Sequence, residues 1–331
     1  MCCRQSLHNS FEVAAENLSR TAQLTLSGPG IRQIVEQQGR AVLADQRRGK
    51  LKPNFTAADC TDQVLISGAD GVMVPLVTEQ QKQKRRTTEK ARRAQDGRRS
   101  TAKRGRPKRG SDGDYQEFKV VSFYDPDKTH QHVAGTAGDH LALGRLMRRE
   151  AGRLKFNEAK TKYAVTDGAV WIARQYQQNL PTLDEHILDY YHLREHVIAA
   201  SVVLYEEGSK QARDWVEDMM GYVWNQGSLV MLDRLGPYLR RHRSGAKHEA
   251  LRSLRDYVGK RIDMTDYPTF RQAGYDCGSG PTESCCGTLT ARLKGPGMRW
   301  DADNAEAVMA LTGLYHSNLW QTYWQAQRIA A

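Results

Sequence analysis

Lys162-Tyr163-Ala164-Val165-Thr166-Asp167-Gly168-Ala169-Val170-Trp171-Ile172 changes its period partway along. Residues 162–166 read as a short buried-type strand ending at Asp167, and residues 169–178 read as a helix. Upstream, residues 141–160 fit a helix, with Leu143, Leu146 and Met147 at helical spacing. Before it lie three strand signals. Val64-Leu65-Ile66 leads into Asp70-Gly71-Val72-Met73-Val74-Pro75-Leu76-Val77. Phe118-Lys119-Val120-Val121-Ser122-Phe123-Tyr124 turns at Asp125-Pro126-Asp127, and His132-Val133-Ala134-Gly135-Thr136 follows. Downstream, His186-Ile187-Leu188-Asp189-Tyr190-Tyr191 reads as a further short strand. The first three strands can pair as a meander, and the later ones need helical crossovers, so a mixed sheet covered by helices is expected.

Three strands, a helix, a strand, a helix and a strand is the element order of a ribonuclease H-like α/β fold. The first part of that core spans residues 59–192. Residues 193–270 are almost entirely helical in pattern and read as an all-helical insertion. The core then resumes over residues 271–331, through the Gly-rich turn Cys277-Gly278-Ser279-Gly280-Pro281 into a helix that carries Glu283. A last helix over residues 302–323, rich in Leu, Met and Trp, closes it. Residues 1–58 read as a helical segment with two helices around Leu26-Ser27-Gly28-Pro29-Gly30. That pattern suits either a helix-turn-helix remnant or ordinary packing.

No stretch approaches the 18 or so apolar residues a bilayer span requires, so no membrane role is expected. The start, Met1-Cys2-Cys3-Arg4-Gln5-Ser6, lacks the apolar run of a secretory signal, which predicts a cytoplasmic protein. The six cysteines form no CxxC pair and no His-matched spacing, which argues against zinc; Cys285 and Cys286 are expected to pack as small apolar residues. The net charge of +11 is concentrated in one place. Residues 82–110 hold fourteen Lys or Arg against Glu89 and Asp96, so this segment carries +12 and the remainder is near neutral at −1. A nearly neutral globule with one basic segment points to nucleic acid, bound by counterion release.

Phosphoryl transfer assisted by two metals needs carboxylates converging from different elements, because Mg²⁺ is a hard ion that prefers oxygen. Asp70 and Asp167 both lie beside strands, and Glu283 begins a helix that can cross the same sheet. Each also has a plain structural reading. Asp70-Gly71 between apolar runs is a hairpin-turn signal. Asp167 suits the N-cap of the helix that follows. Glu283, two residues after a Pro suited to a first helical turn, offsets the helix dipole.

Taken in order, Asp70-Gly71-Val72-Met73-Val74-Pro75, Thr166-Asp167-Gly168-Ala169-Val170-Trp171-Ile172, Leu188-Asp189-Tyr190-Tyr191-His192-Leu193, Gly278-Ser279-Gly280-Pro281-Thr282-Glu283 and Gly297-Met298-Arg299-Trp300 form a series. This series resembles the ISKra family of insertion-sequence transposases, DDE enzymes related to the Mutator-like group, over residues 69–324. The resemblance implies that Asp70, Asp167 and Glu283 are both the catalytic residues and the ligands of two Mg²⁺ ions, with Mn²⁺ as a substitute. It also implies that the substrates are double-stranded DNA, as transposon ends and as target, worked on by a homo-oligomer in the bacterial nucleoid. Asp189 with His192 looks like the Asp-x-x-His signature of Mutator-like relatives. It would support the metal site from behind, hold DNA, or replace Asp167 as a ligand; a structural hydrogen-bonded pair is the alternative.

Within the basic segment, Lys103-Arg104-Gly105-Arg106-Pro107-Lys108-Arg109-Gly110 matches the Arg-Gly-Arg-Pro core of an AT-hook, in which extended Arg side chains enter a narrow minor groove. Lys103, Arg104, Arg106, Lys108 and Arg109 are therefore candidate DNA contacts, and the whole of 82–110 is expected to be disordered without DNA. A generic polyanion tether and a solvated loop are the alternatives. Arg292, Lys294 and Arg299 are candidate phosphate contacts near Glu283, and Trp300 is as well suited to the core. Two rival functions stand beside the transposase: a DNA-binding regulator without chemistry, derived from a degenerate transposase, and a nuclease of the same fold acting on RNA or branched DNA.

Overall fold

The computed structural model describes residues 1–95, 115–295, 298 and 300–329. Its centre is a five-stranded mixed sheet in the order β3-β2-β1-β4-β5: β1 (Val64–Pro75), β2 (Tyr115–Tyr124), β3 (Gln131–Thr136), β4 (Thr161–Thr166) and β5 (Glu185–Leu188). β2 runs antiparallel to β1 and β3, whereas β4 is parallel to both β1 and β5. The sheet is the one expected from the element order, a meander followed by helical crossovers.

The hairpin reading of Asp70-Gly71 fails. β1 runs straight through both residues, with Asp70 opposite Val120 and Gly71 opposite Lys119. A long antiparallel partner overrides the local turn chemistry. The expected β5 is also too long by three residues. The strand stops at Leu188, and Asp189 caps the next helix, α7 (Tyr190–Leu204), by accepting from the His192 N–H. Cap chemistry there outweighs the strand propensity of Tyr190 and Tyr191.

Strand alternation sends β1 side chains to two different cores. Leu65 and Ala69 join Val121, Phe123, Ala164 and the helices α5 (His140–Arg153) and α6 (Val170–Asn179) on one face. Val72 and Val74 join Phe118 and Val120 on the other, under α12 (Gly280–Lys294) and α13 (Ala302–His316). α13 is buried on all sides from Asn304 to Leu314, because α3 (Gly28–Arg48) covers the side turned away from the sheet. The N-terminal helices α1 (Cys2–Ser6), α2 (Phe11–Ala22) and α3 (Gly28–Arg48) share this same core, so the segment expected over 1–58 packs as an outer layer of the sheet domain. α14 (Trp320–Ile329) closes that layer.

Beyond β4 and β5, the helices α7, α8 (Lys210–Gln226), α9 (Ser228–Arg241), α10 (Gly245–Gly259) and α11 (Tyr267–Gln272) form a bundle whose core reaches Ile66, Tyr163, Val165 and Ile187 of the sheet. The segment expected to be helical over 193–270 is helical, apart from its connecting turns. The remaining helix, α4 (Glu79–Gln95), corrects a third expectation: the first half of the basic segment is helical, not disordered. Its run of Glu, Gln, Lys, Arg and Ala contains neither Gly nor Pro, and those residue types favour helix. From Gln83 onward every described side chain on it is exposed. The AT-hook residues Lys103, Arg104, Arg106, Lys108 and Arg109 lie outside the described residues, as does Arg299. Among the described residues no helix is long and apolar enough to cross a membrane.

Candidate active site

The three acids arrive from three elements. Asp70 points to the face of β1 that also carries Ile66, Val72 and Val74. The β1–β4 register, last paired at Ser67 and Ala164, runs forward to Asp70 and Asp167. α12 crosses the same face at close range: a Cβ at Gly68 would overlap the Thr282 hydroxyl, and Thr282 Oγ1 is 2.8 Å from Ser122 Oγ on β2. One residue further along, Glu283 stands in the first turn of α12, where the helix dipole favours a carboxylate.

The acids feel one another. Burial raises the Asp70 carboxyl above its ordinary range, and the negative charges of Asp167 and Glu283 push it the same way. The Gly71 N–H, 2.6 Å from Asp70 Oδ1, and the Cys286 thiol pull it back. Three carboxylates sharing one field, one of them partly desolvated, form a locus that a divalent cation would relieve. The donors are all hard oxygens, which suits Mg²⁺ or Mn²⁺.

Asp70 and Asp167 are half-buried and Glu283 is exposed. Among the described residues no group of three or more His, Cys, Asp or Glu is arranged to hold a metal ion. A preformed protein cage is therefore absent from this set. Mg²⁺ in nucleotidyl sites seldom has one: it takes one or two carboxylates and completes its shell with waters and substrate phosphate oxygens. The oxygen donors of Asp70, Asp167 and Glu283 suit such an ion by chemistry.

The N-cap reading of Asp167 fails: Ala169 occupies the N-cap of α6 and no side chain caps that helix, whereas Asp167 Oδ1 accepts from the Ala169 N–H at 2.8 Å inside the turn before it. Gly168 follows with φ +73°, and the Thr166 hydroxyl accepts from its N–H. The loop before α12 is fixed by Asp189. That residue is 1% exposed, and its two oxygens accept from the backbone N–H groups of His192 and Ser279. The Ser279 hydroxyl in turn donates to Glu283 Oε1 at 2.9 Å. Asp189 thus acts through its cap and loop contacts. The His192 ring faces elsewhere, 3.4 Å from Glu195 and edge-on to His196.

Arg292 is not a surface phosphate contact. It is buried, donates to the Ser6 carbonyl and to Met298 Sδ, and lies near the Phe11 and Trp300 rings. Lys294, two residues on, is exposed. Trp300 is core and bridges to Leu76.

Two residues that sequence reading did not single out touch the site. From the end of α10, the Tyr257 hydroxyl donates to the Asp167 carbonyl at 3.1 Å, and Arg261 Nε donates to the Gly168 carbonyl at 2.8 Å. Both contacts are to backbone and from about ninety residues away in the chain, so no local motif announces them.

No protein family described by sequence matches the chain, and no curated relative matches it. Among solved structures, it is similar to a chain of the Drosophila P element transposase strand transfer complex, with 10% identity and a TM-score of 0.41, over 95% of this chain and 90% of that one. A likeness that loose carries no argument about chemistry.

Proposed function

We propose that this chain is a DDE transposase of ribonuclease H-like fold that cuts DNA at the end of an insertion sequence and joins the freed 3′-OH to target DNA. The sheet order, with β2 alone antiparallel, supports the fold assignment. The observation that carries the chemistry is the shared field at Asp70, where the charges of Asp167 and Glu283 add to the effect of burial. The ordered motifs that resemble the ISKra family name the same three residues.

In this reading Asp70, Asp167 and Glu283 hold two divalent ions, which when bound supply positive charge at the attacking and leaving oxygens of an in-line displacement. The protein's own part is placement. Asp167 is turned by the Ala169 N–H, and its Oδ2 has no hydrogen-bond partner among the described residues. Glu283 is oriented by Ser279, and Ser279 by Asp189. Water and a 3′-hydroxyl attack phosphorus in the same geometry, so one carboxylate site serves both cleavage and joining. The exposed basic face of α4 and Lys294 supply phosphate contacts.

The direct test incubates end-containing duplex with the chain in Mg²⁺ or in chelator. Metal-dependent nicking is expected, and Asp70→Asn should abolish it while DNA affinity stays within about twofold, since a single acid contributes little to a salt-driven association. Normal cleavage by that variant refutes the assignment. Deleting residues 82–110 should flatten the salt dependence of DNA binding, because every phosphate no longer neutralised takes about 0.9 from the log–log slope. An unchanged slope removes the segment from the interface.

A second reading has one observation in its favour: no preassembled three-group metal site occurs among the described residues. A DNA-binding regulator without chemistry would bind end DNA through the same basic segment and leave it intact in either buffer.

A further inference from the structure

We infer that Tyr257 and Arg261, at the end of the inserted helical bundle, form a clamp that positions the second acid, Asp167, by gripping the backbone on both sides of its turn. The inference rests on the carboxylate reading above and adds to it a role for the insertion.

The turn is held from several directions. Inside it, Asp167 Oδ1 takes the Ala169 N–H. Beneath it, Thr166 Oγ1 meets both the Gly168 N–H and His186 Nε2. From the bundle, the Tyr257 hydroxyl binds the Asp167 carbonyl and Arg261 Nε binds the Gly168 carbonyl. The two gripping residues brace each other: Arg261 Nη1 donates to the Tyr257 carbonyl at 3.0 Å, and the guanidinium lies 3.9 Å from the Tyr257 ring centroid. On its far side that ring stacks on His196 of α7 at 3.7 Å.

The fit excludes any residue but glycine at 168. Its φ is +73°, and a Cβ would meet Leu188 Cδ1 at 2.6 Å and Arg261 Nε at 2.7 Å. The Tyr257 hydroxyl is pushed up to about 12, chiefly by burial, so it remains a proton donor at any working pH. Consecutive carbonyls bound by two donors from one helix end leave the peptide between Asp167 and Gly168 little freedom to rotate. The Asp167 carboxylate, with one oxygen already fixed, inherits that restriction. Preorganisation of a ligand in this way lowers the cost of binding a metal, so the bundle influences the acid without touching its side chain.

The experiment uses the full chain bound to end-containing duplex and titrates Mn²⁺ by electron paramagnetic resonance. The variants are Tyr257→Phe, which keeps the stacked ring and removes only the hydroxyl, and Arg261→Lys, which keeps the charge and removes the planar fork. Mn²⁺ affinity should fall about fivefold in the first and about tenfold in the second, on the scale of one missing hydrogen bond. Backbone exchange at Gly168 and Ala169 should quicken by a similar factor. DNA affinity in chelator should match wild type and the metal-free melting temperature should fall by no more than about 2 °C, the scale of one hydrogen bond in a chain of this length, which separates positioning from general support. Wild-type Mn²⁺ affinity in both variants overturns the clamp. So does weakened affinity accompanied by a general loss of exchange protection. If Asp70→Asn binds Mn²⁺ as tightly as wild type, the carboxylate reading itself falls and the clamp falls with it.

Discussion

Asp167 and Asp189 directly follow neighbouring parallel strands, β4 and β5, and each lies in the turn into a helix, yet the protein treats them differently. Asp189 is buried, and each of its oxygens accepts from a backbone N–H, one in α7 and one in the loop before α12. Asp167 is half-exposed, with one oxygen bonded to the Ala169 N–H and the other open. A buried carboxylate with both oxygens bonded to backbone reads as a fastener; one with an oxygen to spare and partial exposure can bind something else. The resemblance put Asp167 in the ligand set with Asp189 as the alternative, and hydrogen-bond accounting favours the same order.

The same substitution at both positions puts that contrast to the test. Asp167→Asn should lower Mg²⁺-dependent nicking by about a thousandfold, a typical loss when a charged group acting on a transition state is neutralised, with the melting temperature unchanged. Asp189→Asn should lower nicking by no more than about tenfold in whatever fraction stays folded, because it acts on Glu283 only through Ser279. It should cost about 2 kcal/mol in urea unfolding, because an amide N–H₂ replaces an acceptor facing a buried N–H. If Asp189→Asn stops cleavage in a chain as stable as wild type, the assignments exchange places.

Much of this arrangement was legible in the sequence because it depends on period. The switch from strand to helix at Asp167, the helical run after Leu193 and the Gly-rich approach to Glu283 are local patterns, and the sheet follows from their order. What could not be read depended on distant partners. The Asp70-Gly71 pair is a sound turn signal, defeated only because β2 lies alongside across a segment of some forty residues. Arg292 reads as a surface cation until α1 and α2 bring the Ser6 carbonyl and the Phe11 ring to it. Tyr257 and Arg261 bind carbonyls, which every residue has, so nothing at the receiving end marks them. The helix α4 is a different matter: its residues favour helix, and that local preference outweighs the repulsion of its dense positive charge.

Asp70 supplies the smallest effect, and it bears on the same distinction between a fastener and a binder. Its carboxyl is raised above the ordinary range, first by burial and then by Asp167 and Glu283, so folding favours its protonated form. Between the unfolded and folded values the native chain holds the proton more firmly, and stability therefore falls as pH rises through that window and stays reduced above it. Without metal, Asp70→Asn removes that cost. Its melting temperature should exceed wild type by about 1–3 °C near neutral pH, the scale on which one such charge registers in a chain of this length. The difference should shrink as pH falls toward the carboxylate range and the wild-type residue takes up its proton. Saturating Mg²⁺ should narrow it too, since an ion bound only by the native state stabilises wild type and has one ligand fewer in the variant. Asp189→Asn is expected to shift stability the opposite way, through its lost backbone contacts. Both Asn variants losing stability together would mean that Asp70 is a fastener as well, spent on the Gly71 N–H and the Cys286 thiol.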